Sequence, residues 1–204
     1  MDKSNEIAVF PLKSILFPRG RLALQIFERR YIDLVRDSLR NDTGFGICLL
    51  KSGEEVVKPG SDQTIHRTGT YCRIVDWNPL DNGLLSVTVE GCRKFHVDQC
   101  RQTDSGLLIA TVRFSEDDST GADKIPLHRE FDNLAELLRS LEDHPLVEKM
   151  QLNIEYDNLR DLGWRLSELI PISMQEKQKL LELDDPWERI HRIEAVVAEL
   201  ANQA

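Results

Sequence analysis

The sequence has no apolar run that could cross a membrane and no excess of positive charge. Of its 204 residues 41% are hydrophobic, but no apolar stretch reaches the roughly 18–20 residues that a membrane-spanning helix needs. There are 35 acidic and 26 basic residues, for a net charge of −9. This balance argues against nucleic acid as a partner, because binding phosphates takes clustered lysine and arginine. Since the amino terminus also lacks the pattern of a secretory signal, we expect a cytoplasmic protein with no membrane partner.

Cysteine is scarce, and its spacing does not suit a metal site. The four cysteines, Cys48, Cys72, Cys92 and Cys100, are 24, 20 and 8 positions apart, so no Cys-x-x-Cys pair exists. Three of them lie within apolar, strand-like stretches, where free cysteine behaves as a small buried hydrophobe. We therefore expect buried thiols rather than disulfides or metal ligands, with no metal and no other cofactor.

The common catalytic motifs are missing as well. No lysine follows a glycine, which excludes a P-loop, and no histidine precedes a glutamate, which excludes the His-Glu-x-x-His zinc motif. The Gly-x-Ser-x-Gly nucleophile motif is absent too. We predict that this chain is not an enzyme and has no catalytic residues. An undetected hydrolase stays open as an alternative, because catalytic residues can assemble from distant segments.

The composition changes near residue 118, and this change predicts two structural parts. Nine of the 11 glycines lie before that point, and residues 1–118 carry 16 basic and 17 acidic side chains. Residues 119–204 carry 10 basic and 18 acidic side chains and are rich in helix formers. We predict an α+β fold, with a β-rich part over 1–118 and a helical bundle over 119–204, joined by the polar segment 115–126.

Within the first part, hydrophobic alternation and turn residues predict short, mostly antiparallel strands around one helix. The predicted helix is Phe27–Arg40, and a long polar loop is expected over Lys51–Thr68. A turn is predicted over Asn78–Gly83, and Gly91 allows a bulge or a sharp bend. The predicted strands are Glu6–Leu12, Arg21–Ile26, Gly46–Leu50, Thr70–Trp77, Leu84–Glu90, Lys94–Cys100 and Leu107–Phe114.

The second part shows helical periodicity and helix-start signals. Leucines and aromatic residues recur at steps of three and four between Leu127 and Leu141, and again between Tyr156 and Leu169. Ser173 and Glu176 have the spacing of a capping box. Asp185 before Pro186 is a second helix-start signal. These patterns predict several short helices in a compact bundle docked on the β part.

Arginine and tryptophan supply the first candidates for a binding surface. Six arginines within the first 40 residues could form one positive face, or they could belong to an ordinary surface where nearby carboxylates offset their charge. Trp77, beside a predicted turn, is either an exposed aromatic contact or, as is commoner for tryptophan, buried. The arginines concerned are Arg19, Arg21, Arg29, Arg30, Arg36 and Arg40.

Taken in order along the chain, five motifs resemble the N-terminal substrate-binding domain of Lon-type proteases. The likeness covers roughly residues 6–200 and follows an opening strand, a proline turn, the entry into the first helix, a central hairpin and a pair of C-terminal helices. The matching segments are Val9–Lys13, Ile15–Leu22, Ile26–Tyr31, Gly69–Phe95 with its Val87–Gly91 core, and Leu169–Leu181.

The resemblance implies a fold and a role. The fold is a PUA-like pseudo-barrel carrying one helix, followed by a helical bundle. The role is capture of unfolded or tagged polypeptides, which in full Lon proteases are passed to an ATPase and a Ser-Lys peptidase. We expect this chain to lack both modules and to act in protein quality control as a non-catalytic polypeptide-binding module, with a protease or a chaperone as a further partner.

Two modes of polypeptide binding follow from this reading. An extended segment could pair with an exposed strand edge, or an apolar segment could occupy a groove between the β part and the bundle. The candidate contacts are Phe17, Arg19, Arg21, Phe27 and Trp77. RNA binding stays open as an alternative, since PUA-like barrels in other families bind RNA.

Overall fold

The computed structural model describes residues 5–56, 63–80, 84–119 and 123–202, with the backbone alone for 116–119. Its first part consists of six strands and one helix. The helix, α1, spans Arg29–Asn41 between the second and third strands. The strands are β1 (Asn5–Leu12), β2 (Arg21–Ile26), β3 (Phe45–Ser52), β4 (Thr64–Pro79), β5 (Leu85–Gln102) and β6 (Leu108–Ser119).

The six strands form one sheet in the order β2-β5-β4-β3-β1-β6, and a further pairing of β5 with β6 closes it into a barrel. Only β1 and β3 run parallel, whereas every other pair is antiparallel. The 18-residue β5 makes closure possible, because its first half pairs with β2 and its second half with β6. Strand β2 lies at the end of the order, with β5 as its neighbour.

Glycine lets the barrel walls approach closely at β3 and β4. A Cβ atom on Gly69 would lie 2.4 Å from the Ile47 carbonyl oxygen, and one on Gly46 would lie 2.6 Å from the Phe95 ring. Contacts this short exclude any side chain at these two positions. Phe95 is therefore able to fill the barrel interior, where it is fully buried.

Helix α1 packs on the barrel with an apolar stripe. Tyr31, Leu34 and Val35 recur at helical spacing and join one core cluster with residues of strands β1 to β5. The helix ends at Asp42, which takes a left-handed conformation and donates its backbone N–H to the Ser38 carbonyl.

The second part is helical. It begins with a 3-10 turn at Arg129–Phe131. Its largest core cluster joins Phe131 with residues of four of the five helices that follow, all except the third of them, and with Ile170. Ser173 accepts the Glu176 N–H at 3.1 Å and Asp185 accepts the Trp187 N–H at 2.9 Å, so both predicted caps are present. The helices are α2 (Asp132–Glu142), α3 (Pro145–Glu148), α4 (Leu159–Leu169), α5 (Met174–Glu182) and α6 (Pro186–Ala201).

The barrel and the helices meet in a packed seam. Phe17, before β2, lies against Trp164 of α4 with ring centroids 5.7 Å apart. The Arg189 guanidinium stacks on the same Trp164 ring, 3.3 Å from its centroid. The buried Lys94 amine donates to the Leu183 carbonyl at 2.8 Å. Apolar packing and bonded charges together fill this boundary.

The predicted α+β class is confirmed, and several element bounds need correction. The polar loop predicted over 51–68 is much shorter, because β3 continues to Ser52 and β4 begins at Thr64. The two strands predicted on either side of Gly91 are one strand, β5. The register shifts beside Gly91, so the predicted bulge is present without a break. Residues 81–83 of the predicted turn lie outside the described residues.

The burial of the cysteines follows the expectation for two of the four. Cys48 and Cys72 are buried, Cys92 is half-buried and Cys100 is exposed on β5. Burial raises the pKa of Cys48 and of Cys72, so both thiols stay protonated. Among the helices that the structure describes, none is long and apolar enough to span a membrane.

Candidate functional site

Strand β2 presents a backbone edge that no described strand covers. Its six residues pair with β5 from Arg21↔Glu90 to Ile26↔Leu85. Alternation explains why the strand forms here, since Leu24 and Ile26 are buried while Ala23 and Gln25 are exposed. A strand at the end of a sheet keeps unpaired N–H and C=O groups along its outer side. This edge can therefore accept a further strand.

A cleft of about 250 Å³ runs beside this edge. Its other wall is the end of β1, where Phe10, Pro11 and Leu12 continue past the last β1–β6 pair at Val9. We call this cleft the β2 groove. Its lining residues are Phe10–Leu12, Ser14, Leu22–Glu28, Tyr31, Glu55 and Val56.

Exposed apolar side chains mark the mouth of the β2 groove. Phe27 is 54% exposed and Val56 is 46% exposed, although both are large hydrophobic residues. Single exposed apolar residues are ordinary, but here the pair borders an apolar cleft and an open strand edge. The combination suits an extended chain whose alternate side chains face the cleft.

The floor of the β2 groove contains a buried hydroxyl group. Tyr31 is 4% exposed, and its ring lies edge-on to Phe10 with centroids 3.9 Å apart. Among the described residues its hydroxyl has no hydrogen-bond partner. Burial raises the pKa of Tyr31 well above its ordinary value, so the hydroxyl keeps its proton.

The groove is acidic at its rim. Glu28 and Glu55 both line it, and Glu55 also accepts the Lys13 backbone N–H. The nearby Arg30 side chain is buried. Its guanidinium donates hydrogen bonds to Glu28 at 3.1 Å and to the Gly106 carbonyl at 2.6 Å. Arg30 thus offsets the charge of Glu28, and Glu55 is the other carboxylate at the rim.

The structure separates the five residues predicted as contacts. Phe27 lies in the β2 groove, and Trp77, near the end of β4, is 51% exposed. The exposure of Trp77 corrects the expectation that tryptophan is buried at this strand end. It follows from β4 continuing past its last pair with β3 at Cys72.

The other three predicted contacts serve the seam or the sheet. Phe17 is fully buried against Trp164 and has no open surface. Arg19 bonds Glu155 at 2.9 Å and approaches Asp161 at 3.7 Å. Arg21 bonds Glu90 on the neighbouring strand at 2.8 Å. These pairings explain their positions without a ligand.

The arginine-rich opening does not form an unpaired positive face. Arg29 and Arg36 both bond Asp33, at 3.2 and 2.8 Å. With Arg19, Arg21 and Arg30, five of the six arginines are thus paired with carboxylates. The interpretation as an ordinary surface offset by acidic residues accounts for these five.

The second predicted binding mode needs a groove between the barrel and the helices, but this boundary is the packed seam. Here Gln178 donates to the Thr68 carbonyl at 3.2 Å and Lys94 pairs with Asp184 at 2.7 Å. Lys94 lowers the pKa of Asp184, which keeps that carboxylate ionised. In the described part of the chain, no group of three or more His, Cys, Asp or Glu side chains could hold a metal ion.

Of the residues that line the β2 groove, only Phe27 was among the contacts that the sequence predicts. Tyr31 falls on the apolar stripe of α1 and is indistinguishable there from a core residue. The one usable signal was Pro11, since proline within a strand marks an edge or an unpaired position.

The fold and the groove define an α+β module with a strand edge, that of β2, beside an apolar cleft. The family model of the ATP-dependent protease La (LON) substrate-binding domain matches residues 6–198. The chain therefore belongs to the LON substrate-binding domain family.

Solved structures agree with this membership. A Lon N-terminal domain protein from Xanthomonas campestris is 32% identical, with a TM-score of 0.74, and the match covers 94% of this chain and 98% of that one. The N-terminal domain of a Mycobacterium avium complex Lon protease shares the fold at 14% identity and a TM-score of 0.59.

Curated relatives are much longer proteins. Lon protease 2 of Myxococcus xanthus is 27% identical in a 209-residue alignment that covers 99% of this chain and 24% of that protein. Lon protease 1 of Bacillus subtilis is 23% identical over 201 residues. The chain spans about a quarter of the length of these relatives.

Proposed function

We propose that this chain is a non-catalytic module that binds extended segments of unfolded or tagged polypeptides along the free edge of β2. The observation that carries this proposal is the open edge beside an apolar cleft with Phe27 at its mouth. Membership of a substrate-binding domain family supports it.

Binding would proceed by strand addition. Backbone groups of a bound segment would pair with the outer side of β2, and every second side chain would enter the groove. A six-residue strand is about 20 Å long at about 3.3 Å per residue, so about six residues of ligand are held. Ordering a flexible segment offsets much of this gain, so we expect dissociation constants of about 1 μM or weaker.

The remaining parts of the proposal concern partners and chemistry. We propose no enzymatic activity and no cofactor, with a protease or a chaperone receiving the bound chain in the cytoplasm. Nucleic acid is not part of the proposal, because five arginines of the opening segment are paired with carboxylates and the net charge is −9.

Fluorescence anisotropy with a labelled, permanently unfolded protein tests the proposal. The signal should saturate, and Phe27→Ser should weaken binding severalfold because it removes apolar surface at the mouth of the groove. Leu39→Ser is the matched control, since Leu39 is 44% exposed on α1 and does not line the groove. A flat titration, or equal losses from both variants, would contradict the proposal.

Two further measurements test the binding mode and the chemistry. Peptides N-methylated at alternate backbone positions should bind in one register and fail in the other, because only alternate N–H groups face β2. Casein incubated with the purified protein, with and without ATP, should stay intact. Cleavage of casein by the protein alone would favour the hydrolase alternative.

A further inference from the structure

Two exposed apolar side chains lie near the end of β4, outside the β2 groove. Trp77 is 51% exposed and Val75 is 47% exposed, although both are large hydrophobic residues. Single apolar residues scattered over a surface are ordinary, whereas apolar residues grouped beside a binding cleft mark an interaction surface. What these two side chains can contact therefore depends on where β4 places them relative to the groove.

The strand register places Trp77 close to the mouth of the β2 groove. Ile26 pairs with Leu85 of β5, and Leu85 pairs with Pro79 of β4. Neighbouring strands are about 4.8 Å apart, so β2 and β4 are about 10 Å apart across β5. Since both run antiparallel to β5, Phe27 lies one position beyond this row and Trp77 two positions before it, an offset of about 10 Å along the strands. The two aromatic residues are therefore about 14 Å apart, which about four extended residues span.

Trp77 also lies on the face of the sheet that the groove uses. It pairs with Val87, and Val87 pairs with Leu24, which lines the groove. Residues directly opposite each other on neighbouring strands direct their side chains to the same face. Because Val87 is fully buried between them, a polypeptide that leaves the groove reaches Trp77 around the end of the sheet, past Phe27.

The backbone of β4 is closed to strand addition at this end. Among the described strands none pairs with its outer side beyond Cys72, but the β4–β5 register shifts between Ile74 and Asp76. The Asp76 carboxylate also accepts the Trp77 backbone N–H at 2.9 Å. Bulges and charged side chains are features by which edge strands avoid pairing. A ligand can therefore contact this end of β4 through side chains only.

The size of the patch distinguishes a second copy of the chain from a bound polypeptide. An aromatic side chain has about 150–250 Å² to bury, so the exposed halves of Trp77 and Phe27 together offer roughly 150–250 Å². A stable interface between two proteins buries about 800 Å² on each partner. The patch is too small for a stable dimer, and it suits a few side chains of a polypeptide that β2 already holds.

We propose that Trp77 is a second contact for the bound polypeptide and holds an apolar side chain about four residues beyond the segment that pairs with β2. The inference rests on the proposed function and adds to it a length and a direction. A segment of about ten residues, rather than about six, uses both contacts. The additional residues extend from the end of the ligand that lies next to Phe27.

Fluorescence anisotropy with extended peptides tests the second contact. A six-residue apolar core peptide is compared with versions that carry four further residues ending in leucine, placed at its amino end or at its carboxyl end. Only one of the two extended peptides should bind more tightly than the core, by about three- to tenfold, because ordering the extension offsets part of the gain from covering Trp77. Serine in place of the terminal leucine should remove this gain.

Matched variants assign the gain to Trp77. Trp77→Ser should abolish the gain and leave the affinity for the core peptide unchanged, whereas Trp77→Phe should keep most of the gain because it retains an aromatic ring. Leu146→Ser is the control, since Leu146 is 67% exposed on α3 in the helical part. The affinity for the core peptide shows in the same titrations that each variant is folded.

Backbone methylation separates the two contacts. N-methyl groups within the extension should leave the gain intact, because only side chains contact this end of β4. N-methyl groups in the core should abolish binding in one register, as in strand addition. A gain that disappears when the extension is methylated would contradict the inference.

The outcomes separate the inference from the function beneath it. If the core peptide binds but neither extension improves binding, if both improve it equally, or if Trp77→Ser keeps the gain, the inference is wrong and the proposed function stands. If no peptide and no unfolded protein binds, both are wrong. Sedimentation equilibrium tests the other occupant, since a native dimer that Trp77→Ser converts to a monomer would assign the patch to a second copy and overturn the inference.

Discussion

Two phenylalanines close together in the sequence should behave in opposite ways when they are shortened. Phe17 is fully buried in the seam between barrel and helices, whereas Phe27 is 54% exposed at the β2 groove. A buried phenylalanine withdraws about 150–250 Å² from water, which corresponds to about 4–6 kcal/mol at about 25 cal/mol per Å². Because a buried alanine keeps part of this burial free energy, Phe17→Ala should lower the free energy of unfolding by about 3–5 kcal/mol.

Phe27→Ala is the control for the same chemical change. Because about half of this side chain already faces water, the cost should stay below about 1 kcal/mol. Urea unfolding followed by far-UV circular dichroism measures both values. The reasoning is refuted if Phe17→Ala costs less than about 1 kcal/mol, or if the two variants lose equal stability, since the seam would then not depend on Phe17.

Three more predictions concern a cap, an ion pair and two glycines. Ser173→Ala should cost about 1 kcal/mol in urea unfolding, because it removes the acceptor for the Glu176 N–H; an unchanged midpoint would count against the cap. Bonds from Arg19, first, and from Asn158 and Lys124 lower the pKa of Glu155 from 4.5 to about 2, so the stabilisation is complete above about pH 4.5 and is lost as pH falls towards 2. Glu155→Gln should therefore flatten the dependence of the urea midpoint on pH in that window, and a parallel curve would contradict the pairing. Gly69→Ala should destabilise the barrel by about 1–3 kcal/mol or more, since its Cβ would lie 2.4 Å from a carbonyl oxygen. Gly163→Ala, inside α4 with its nearest contact at 3.5 Å, should instead stabilise by about 0.5–1 kcal/mol, and thermal melts of the two variants should move in opposite directions.

Local patterns were enough to place most of the elements. The stripe of Tyr31, Leu34 and Val35 predicts α1 to within two residues at each end, because helical periodicity is a property of consecutive residues. Ser173 was placed correctly as a cap for the same reason. Gly91 was harder, since a glycine between two apolar runs fits both a turn and a bulge, and only the partner strand decides between them.

Burial that depends on distant residues could not be predicted in the same way. Phe17 and Arg19 occupy a proline-containing turn whose composition resembles an exposed loop. Helices from the other end of the chain cover this turn, as in the bond from Arg165 to the Pro18 carbonyl across 147 positions. The same limit hid the groove, because nothing near Tyr31 in the sequence shows that its hydroxyl lacks a partner.

The seam has a consequence for where the molecule can be divided. A truncated version ending at residue 118 would uncover Phe17 and would remove both the Leu183 carbonyl and the Asp184 carboxylate that the Lys94 amine contacts. The barrel should then aggregate when produced by itself. The helices alone should aggregate too, because Trp164 would lose its contact with Phe17. We therefore expect the barrel and its helices to fold only together, so that a fusion protein carrying this module needs both parts.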